Sequence, residues 1–96
     1  DDINDRLKRA SGIEGVFVLR VDPGSPADRA GLVAAQRTRR GVAPGDIVTA
    51  LNGKPVSRVG DLLARLDDFR VGQSVELTLM RGGEERRARL ELERGS

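Results

Sequence analysis

Two stretches decide the fold: Gly15-Val-Phe-Val-Leu-Arg-Val-Asp-Pro-Gly-Ser-Pro-Ala-Asp-Arg-Ala-Gly-Leu32 and Pro44-Gly-Asp-Ile-Val-Thr-Ala-Leu-Asn-Gly-Lys-Pro-Val56. In the first, residues 16 to 21 alternate, with Phe17, Leu19 and Val21 facing one way and Val16, Val18 and Arg20 the other. This predicts a strand with one strongly apolar face. Asp22-Pro-Gly-Ser then breaks it. Ser25 is suited to an N-cap and Pro26 to the first helical position, so residues 27 to 30 are expected to form one or two helical turns ended by Gly31, with Leu32 anchored in the core. In the second stretch, residues 46 to 52 are apolar on both faces, as in a central strand. Asn52-Gly53 favours a tight turn with positive φ, which lets Pro55-Val56 fold back as a short pairing segment.

Working outward, Ile3, Leu7 and Ala10 have helical spacing. They predict a short first helix over residues 4 to 10, with Asn4 or Asp2 as N-cap and Gly12 as stop. Ser57 is read as the cap of the main helix, residues 59 to 69. There Val59, Leu62, Leu63, Leu66 and Phe69 recur three and four apart, opposite Asp61, Arg65 and Asp68. Residues 74 to 81 turn Val75, Leu77 and Leu79 inward, Gly82-Gly83 makes a hairpin, and Ala88, Leu90 and Leu92 return against exposed Arg87, Arg89, Glu91 and Glu93.

Composition limits what such a fold does. Ninety-six residues suit one domain with one small core, built from aliphatic side chains because the only aromatics are Phe17 and Phe69. Seventeen Lys and Arg against 15 Asp and Glu leave a net charge of +2, with the signs mixed, which argues against a nucleic-acid binder. No apolar run is long enough to span a membrane. The chain has no His and no Cys, so it holds no Ser-His-Asp triad, no thiol nucleophile and no zinc site of nitrogen or sulfur ligands. Each serine beside Lys8 or Lys54 already has a turn or cap role. Gly82-Gly83 joins two strands rather than a strand and a helix, so nucleotide binding is unsupported. No cofactor or metal is implied.

The order of strand, Gly-Ser-Pro turn, short helix, Gly-Asp strand and Asn-Gly turn resembles a PDZ domain. Pro44-Gly-Asp-Ile-Val48 and Asn52-Gly-Lys-Pro-Val56 resemble the PDZ modules of HtrA/Deg-type serine proteases, over roughly residues 13 to 93. The resemblance implies an α+β fold: a small, partly antiparallel β-sandwich of about five strands, one main helix and one or two short ones. It also implies a non-catalytic module that recognises apolar C-terminal or unfolded peptide segments by strand addition, and that feeds or regulates a protease domain of the same parent chain. Carried onto this sequence, the groove falls on Val59, Leu63 and Leu66, with Leu62 and Phe69 turned to the core. All five being core fits the periodicity equally well. Localisation is not readable from the residues; the family favours a bacterial periplasm or cell envelope.

Two departures stand out. Residues 1 to 96 read as a single PDZ-like domain in which the family's N-terminal carboxylate-binding loop and peptide-pairing strand are not recognisable. Gly12-Ile-Glu-Gly15 is in the wrong register for that loop, and Ile3 is at best a remnant of the groove wall. Residues 16 to 21 would then form an unprotected edge, open to other chains. Second, residues 33 to 43 make the connection roughly nine residues longer than the commoner pattern, longer than is usual in a compact domain, as in the plastid Deg branch and its bacterial relatives. Arg37, Arg39 and Arg40 give this insert a basic tip, read either as a solvated loop or as a contact for an acidic partner or sister subunits. The second reading makes the chain an oligomerisation or allosteric module. PDZ modules of membrane-embedded or C-terminal processing proteases share the same fold.

Overall fold

The computed structural model describes residues 2–93. The elements are α1 (Asp2–Ser11), β1 (Val16–Phe17), α2 (Pro26–Arg29), β2 (Gln36–Thr38), β3 (Gly41–Ala43), β4 (Ile47–Leu51), β5 (Lys54–Pro55), α3 (Val59–Leu66), β6 (Ser74–Arg81) and β7 (Glu84–Glu91). An antiparallel sheet of five strands runs β1-β4-β6-β7, with β5 also paired to β4. The expected α+β architecture is present, with β4 central.

Local chemistry accounts for most boundaries. Ser25 caps α2 by accepting the Asp28 N–H, and Pro26 opens the helix. Gly12 ends α1, its N–H donating to the Lys8 carbonyl. Helix α1 starts at Asp2, so Asp2 and Asn4 lie inside it rather than at its N-cap. Gly82 and Gly83, with φ of 58° and 84°, supply the two-residue turn that joins β6 to β7.

The expected strand over residues 16 to 21 is cut to two residues. Beyond Phe17, Val18 donates its N–H to the Asp46 carbonyl and accepts the Ala35 N–H on its own carbonyl, so a connection replaces the sheet partner. The insert is not an open loop either. Thr38 pairs with Gly41, Arg37 with Val42 and Gln36 with Ala43, forming a second, two-stranded sheet. Helix α3 is shorter than expected. Arg58, not Ser57, is its N-cap; Ser57 instead donates its N–H and hydroxyl to the Asp61 carboxylate, which also accepts the Arg58 N–H. The helix ends at Leu66, and Phe69 is reached by a tighter turn in which its N–H donates to the Leu66 carbonyl.

The single expected core is two clusters, because successive residues of a strand point to opposite faces. Val48, Leu51, Val75, Leu77 and Leu79 form the larger one, covered by Val59, Leu62, Leu66 and Phe69 around α3. Ile47 and Phe17 turn the other way and meet Leu7 of α1, with Ile13 and Met80 around them. The alternation predicted for residues 16 to 21 therefore holds only in part: Val16, Val18 and Val21 pack toward the larger cluster, while Leu19 is 39% exposed.

Two glycines should respond oppositely to substitution. A Cβ on Gly45 would lie 2.3 Å from the Val33 carbonyl oxygen and 2.6 Å from that of Ala34, both backbone atoms. Gly60, in the first turn of α3, faces open space. Gly45→Ala is expected to cost about 2 kcal/mol or more, and Gly60→Ala to add about 0.5–1 kcal/mol, as read from urea unfolding midpoints.

Candidate functional site

An apolar cleft of about 520 Å³ opens on one face of the sheet. One side is the run Arg20, Val21 and Asp22 with the start of α2; the other is Leu62, Leu66 and Phe69. Its floor is the inner face of the sheet, Val75, Leu77, Leu90 and Leu92. The cleft thus opens directly onto the larger hydrophobic cluster. Charge is confined to the rim, where Arg20 donates to Asp22 at 2.7 Å and Arg29 pairs with Glu93.

The backbone beside this cleft is unusual. Among the described residues, Leu19, Arg20 and Val21 make no backbone hydrogen bond, although Val18 and Asp22 on either side do. Backbone N–H and C=O groups need partners, and here only solvent can provide them. Unpaired main chain along an apolar slot is the arrangement that a docking strand completes.

The residues assigned to the groove from the sequence are spread along α3. Leu66 lines the cleft and is partly buried. Val59, one end of the helix away, packs on the larger cluster without lining the cleft. Leu63 is 56% exposed and is the only α3 residue among the exposed large hydrophobics. Leu62, assigned to the core, packs there and also forms cleft wall. Ile3 lies on α1, and its side chain falls outside the described residues. The backbone run 19 to 21 was not marked as a site from the sequence, because alternation announced a paired strand there.

Arg37, Arg39 and Arg40 lie together on the β2–β3 ribbon, all exposed and without an ion pair among the described residues. The root of this ribbon is held by Asp46, which is fully buried. Its carboxylate accepts the Val33 N–H at 2.7 Å and two bonds from the Arg81 guanidinium, at 2.6 and 2.8 Å. Arg81 reaches on to the Gly31 carbonyl at 3.0 Å. Burial alone would raise the Asp46 pKa, but the Arg81 hydrogen bonds, the Val33 N–H and the attraction of Arg81 outweigh it and hold the carboxyl below its usual value. The sequence signal for this clasp was an acid set between Gly45 and an apolar strand; among the described residues Asp46 is the one buried charged side chain, and a buried charge requires a partner. No group of three or more candidate metal ligands occurs among the described residues, and no helix there is long and apolar enough to cross a membrane.

Against known proteins, the PDZ domain family matches residues 2–92. The chain is 39% identical over 83 residues to the chloroplastic protease Do-like 1 of Arabidopsis thaliana, covering 85% of this chain and 19% of that protein. It is 35% identical over 98 residues to the periplasmic serine endoprotease DegP of Escherichia coli K12, covering 99% of this chain and 19% of that protein. It therefore spans about one fifth of the length of these relatives. The PDZ domain of the SdrC-like protein of Listeria monocytogenes superposes with a TM-score of 0.67 at 22% identity, covering 84% of this chain and 74% of that one, and so shares the fold.

The Asp46 clasp generates a prediction with a definite sign. A carboxyl whose pKa is lowered by folding contributes stability that is complete above the unfolded value of about 3.9 and is lost as pH falls through the folded value. Asp46→Asn is expected to cost about 1.5–3 kcal/mol at pH 7, the range for losing hydrogen bonds to a charged group. Its deficit relative to the parent chain should shrink progressively below about pH 4, read by urea unfolding at pH 7 and at pH 3.

Proposed function

The chain belongs to the PDZ domain family, of the kind carried by HtrA/Deg-type serine proteases, and from that premise we propose that it binds apolar, extended peptide segments by strand addition. The observation that carries this reading is the unpaired backbone of Leu19, Arg20 and Val21 beside an apolar cleft of about 520 Å³. A docked segment pairs its main chain with that run and sets alternate side chains into the cleft. Leu66 and Leu62 receive those side chains, while Leu63 and Val59 extend the apolar wall along α3. Ile3 is the remaining candidate for the wall. The charged rim favours segments whose polar ends stay outside.

PDZ domains are in general non-catalytic recognition modules, and the absence of His and Cys from this chain fits that role. In the parent chain, the module passes apolar C-terminal or unfolded segments to a protease domain, or regulates that domain through their binding. The bacterial relatives named periplasmic favour a place in the cell envelope, and the plant relative is chloroplastic. Each added main-chain bond contributes about 1 kcal/mol and each buried aliphatic side chain about 1.5–3 kcal/mol. Set against the cost of association, these imply dissociation constants on the order of 10–1000 µM.

The test is an amide NMR titration with N-acetylated apolar hexapeptides that lack ionisable side chains, each with a free or an amidated C-terminus. Saturable shifts at Leu19 to Val21 and along α3 are expected, and loss of binding on amidation assigns the ligand as a free C-terminus. Leu63→Glu, at an exposed position, should weaken binding about tenfold or more while leaving the fold intact. Absence of shifts at millimolar peptide overturns the proposal.

A further inference from the structure

The β2–β3 ribbon has features that peptide binding in the cleft does not use. An isolated two-stranded ribbon is marginal in water, and all six strand residues of this one are exposed. Yet it is firmly mounted. The Val33 N–H enters the buried Asp46 carboxylate, the Asp46 N–H donates to the Val33 carbonyl at 2.8 Å, and the Ala35 N–H donates to Val18 at 2.8 Å. At the tip, the Thr38 hydroxyl donates to the Gly41 carbonyl and accepts the Arg40 N–H. The chain has ordered an arm that buries nothing of its own.

Its chemistry is one-sided. Between Arg29 and Asp46 the chain carries three arginines and no acid. Thr38 pairs with Gly41 around the two-residue turn Arg39-Arg40, and Arg37 faces Val42. In such a ladder the Thr38–Gly41 pair is hydrogen-bonded and the Arg37–Val42 pair is not. The N–H and C=O of Arg37 therefore point outward from the β2 edge. Arg37 and Val42 share a face, and Arg39 and Arg40 sit in the turn at its end.

We infer that the β2 edge of this ribbon is a docking strand for an extended acidic segment of another polypeptide, one that alternates carboxylate and apolar residues. Its main chain pairs at Arg37, its carboxylates meet Arg37 and Arg39, and an apolar residue lies toward Val42. A second copy of this chain does not fit. Among the described residues, acids alternate with apolar residues over Val75 to Leu77 and over Leu90 to Glu93, and there Val75, Leu77, Leu90 and Leu92 already face the cleft and the core.

The probe is a pentapeptide of alternating glutamate and valine, capped at both ends, with glutamine in place of glutamate as control. In amide NMR titrations the glutamate peptide should shift residues 36 to 43 and slow amide exchange at Arg37. The control should bind about tenfold more weakly, as befits two or three exposed ion pairs. The triple variant Arg37→Glu, Arg39→Glu, Arg40→Glu changes only exposed side chains. It should keep its melting temperature, lose the glutamate peptide and gain a peptide of alternating lysine and valine. Three results overturn the inference: no shifts in the ribbon at millimolar glutamate peptide, equal binding of the control, or shifts spread equally over Arg86 to Arg89. Because the probe is charged and capped, these outcomes do not depend on whether the apolar cleft binds peptide.

Discussion

The buried Asp46 carboxylate is the constraint on which the rest depends. It sits where β4 enters the core, and a charge there is tolerated only because Arg81 and the Val33 N–H satisfy both of its oxygens. Those partners come from distant parts of the chain: Val33 from the start of the insert and Arg81 from the end of β6, with Gly31 at the close of α2 also held by Arg81. One side chain thereby ties together the α2 turn, the root of the ribbon and the sheet. Gly45 lets the chain pass close to the Val33 and Ala34 carbonyls, so the acid and the missing side chain act as one device.

From that fixed point the sheet divides the molecule. Strand β4 sends Ile47 toward α1 and Val48 toward α3, and β6 does the same with Met80 and Leu79. The irregularity between Val48 and Ala50 frees Thr49, whose hydroxyl donates to the Thr78 carbonyl and whose own carbonyl accepts the Val56 N–H at the β5 turn. Helix α3 lies over the larger cluster but covers it unevenly. Its eight residues carry a stripe wider than the surface beneath, which leaves Leu63 in solvent, and its far end stops short of the sheet floor at Leu90 and Leu92. The cleft is that uncovered floor.

What the sequence revealed and what it hid follow from the range of the interactions. Turns set by one or two residues, Ser25-Pro26, Asn52-Gly53 and Gly82-Gly83, were legible because backbone preference is local. The hairpin of β6 and β7 was legible because alternation ran on for eight residues on each side. The strand at residues 16 to 21 was overextended because alternation states which faces are apolar, not whether a neighbouring strand is present. Beyond Phe17 the neighbour is the entry to the insert, at Ala35. The ribbon was hidden because its turn is Arg39-Arg40 and lacks the Asn-Gly or Gly-Gly pair that marks a hairpin. In the candidate site, the family resemblance pointed to Leu66, which lines the cleft, but also to Val59 and Leu63, which do not, and it left Leu62 to the core; the cleft's other side is unpaired main chain, which has no side-chain pattern to read.

The cleft and the ribbon offer the same element, an unsatisfied strand edge, in two different settings. Beside the cleft, the edge borders apolar side chains, so association there draws on burial and is little affected by salt. On the ribbon, the edge borders three arginines in open solvent, so association draws on charge and is screened within about 8 Å at physiological ionic strength. Neither setting alone holds a ligand tightly, since a few main-chain bonds barely exceed the cost of association. Asp46 separates the two, bonded to the ribbon root on one side and continuous with the sheet floor on the other. If one polypeptide makes both of the proposed contacts, the second adds affinity without a second association cost.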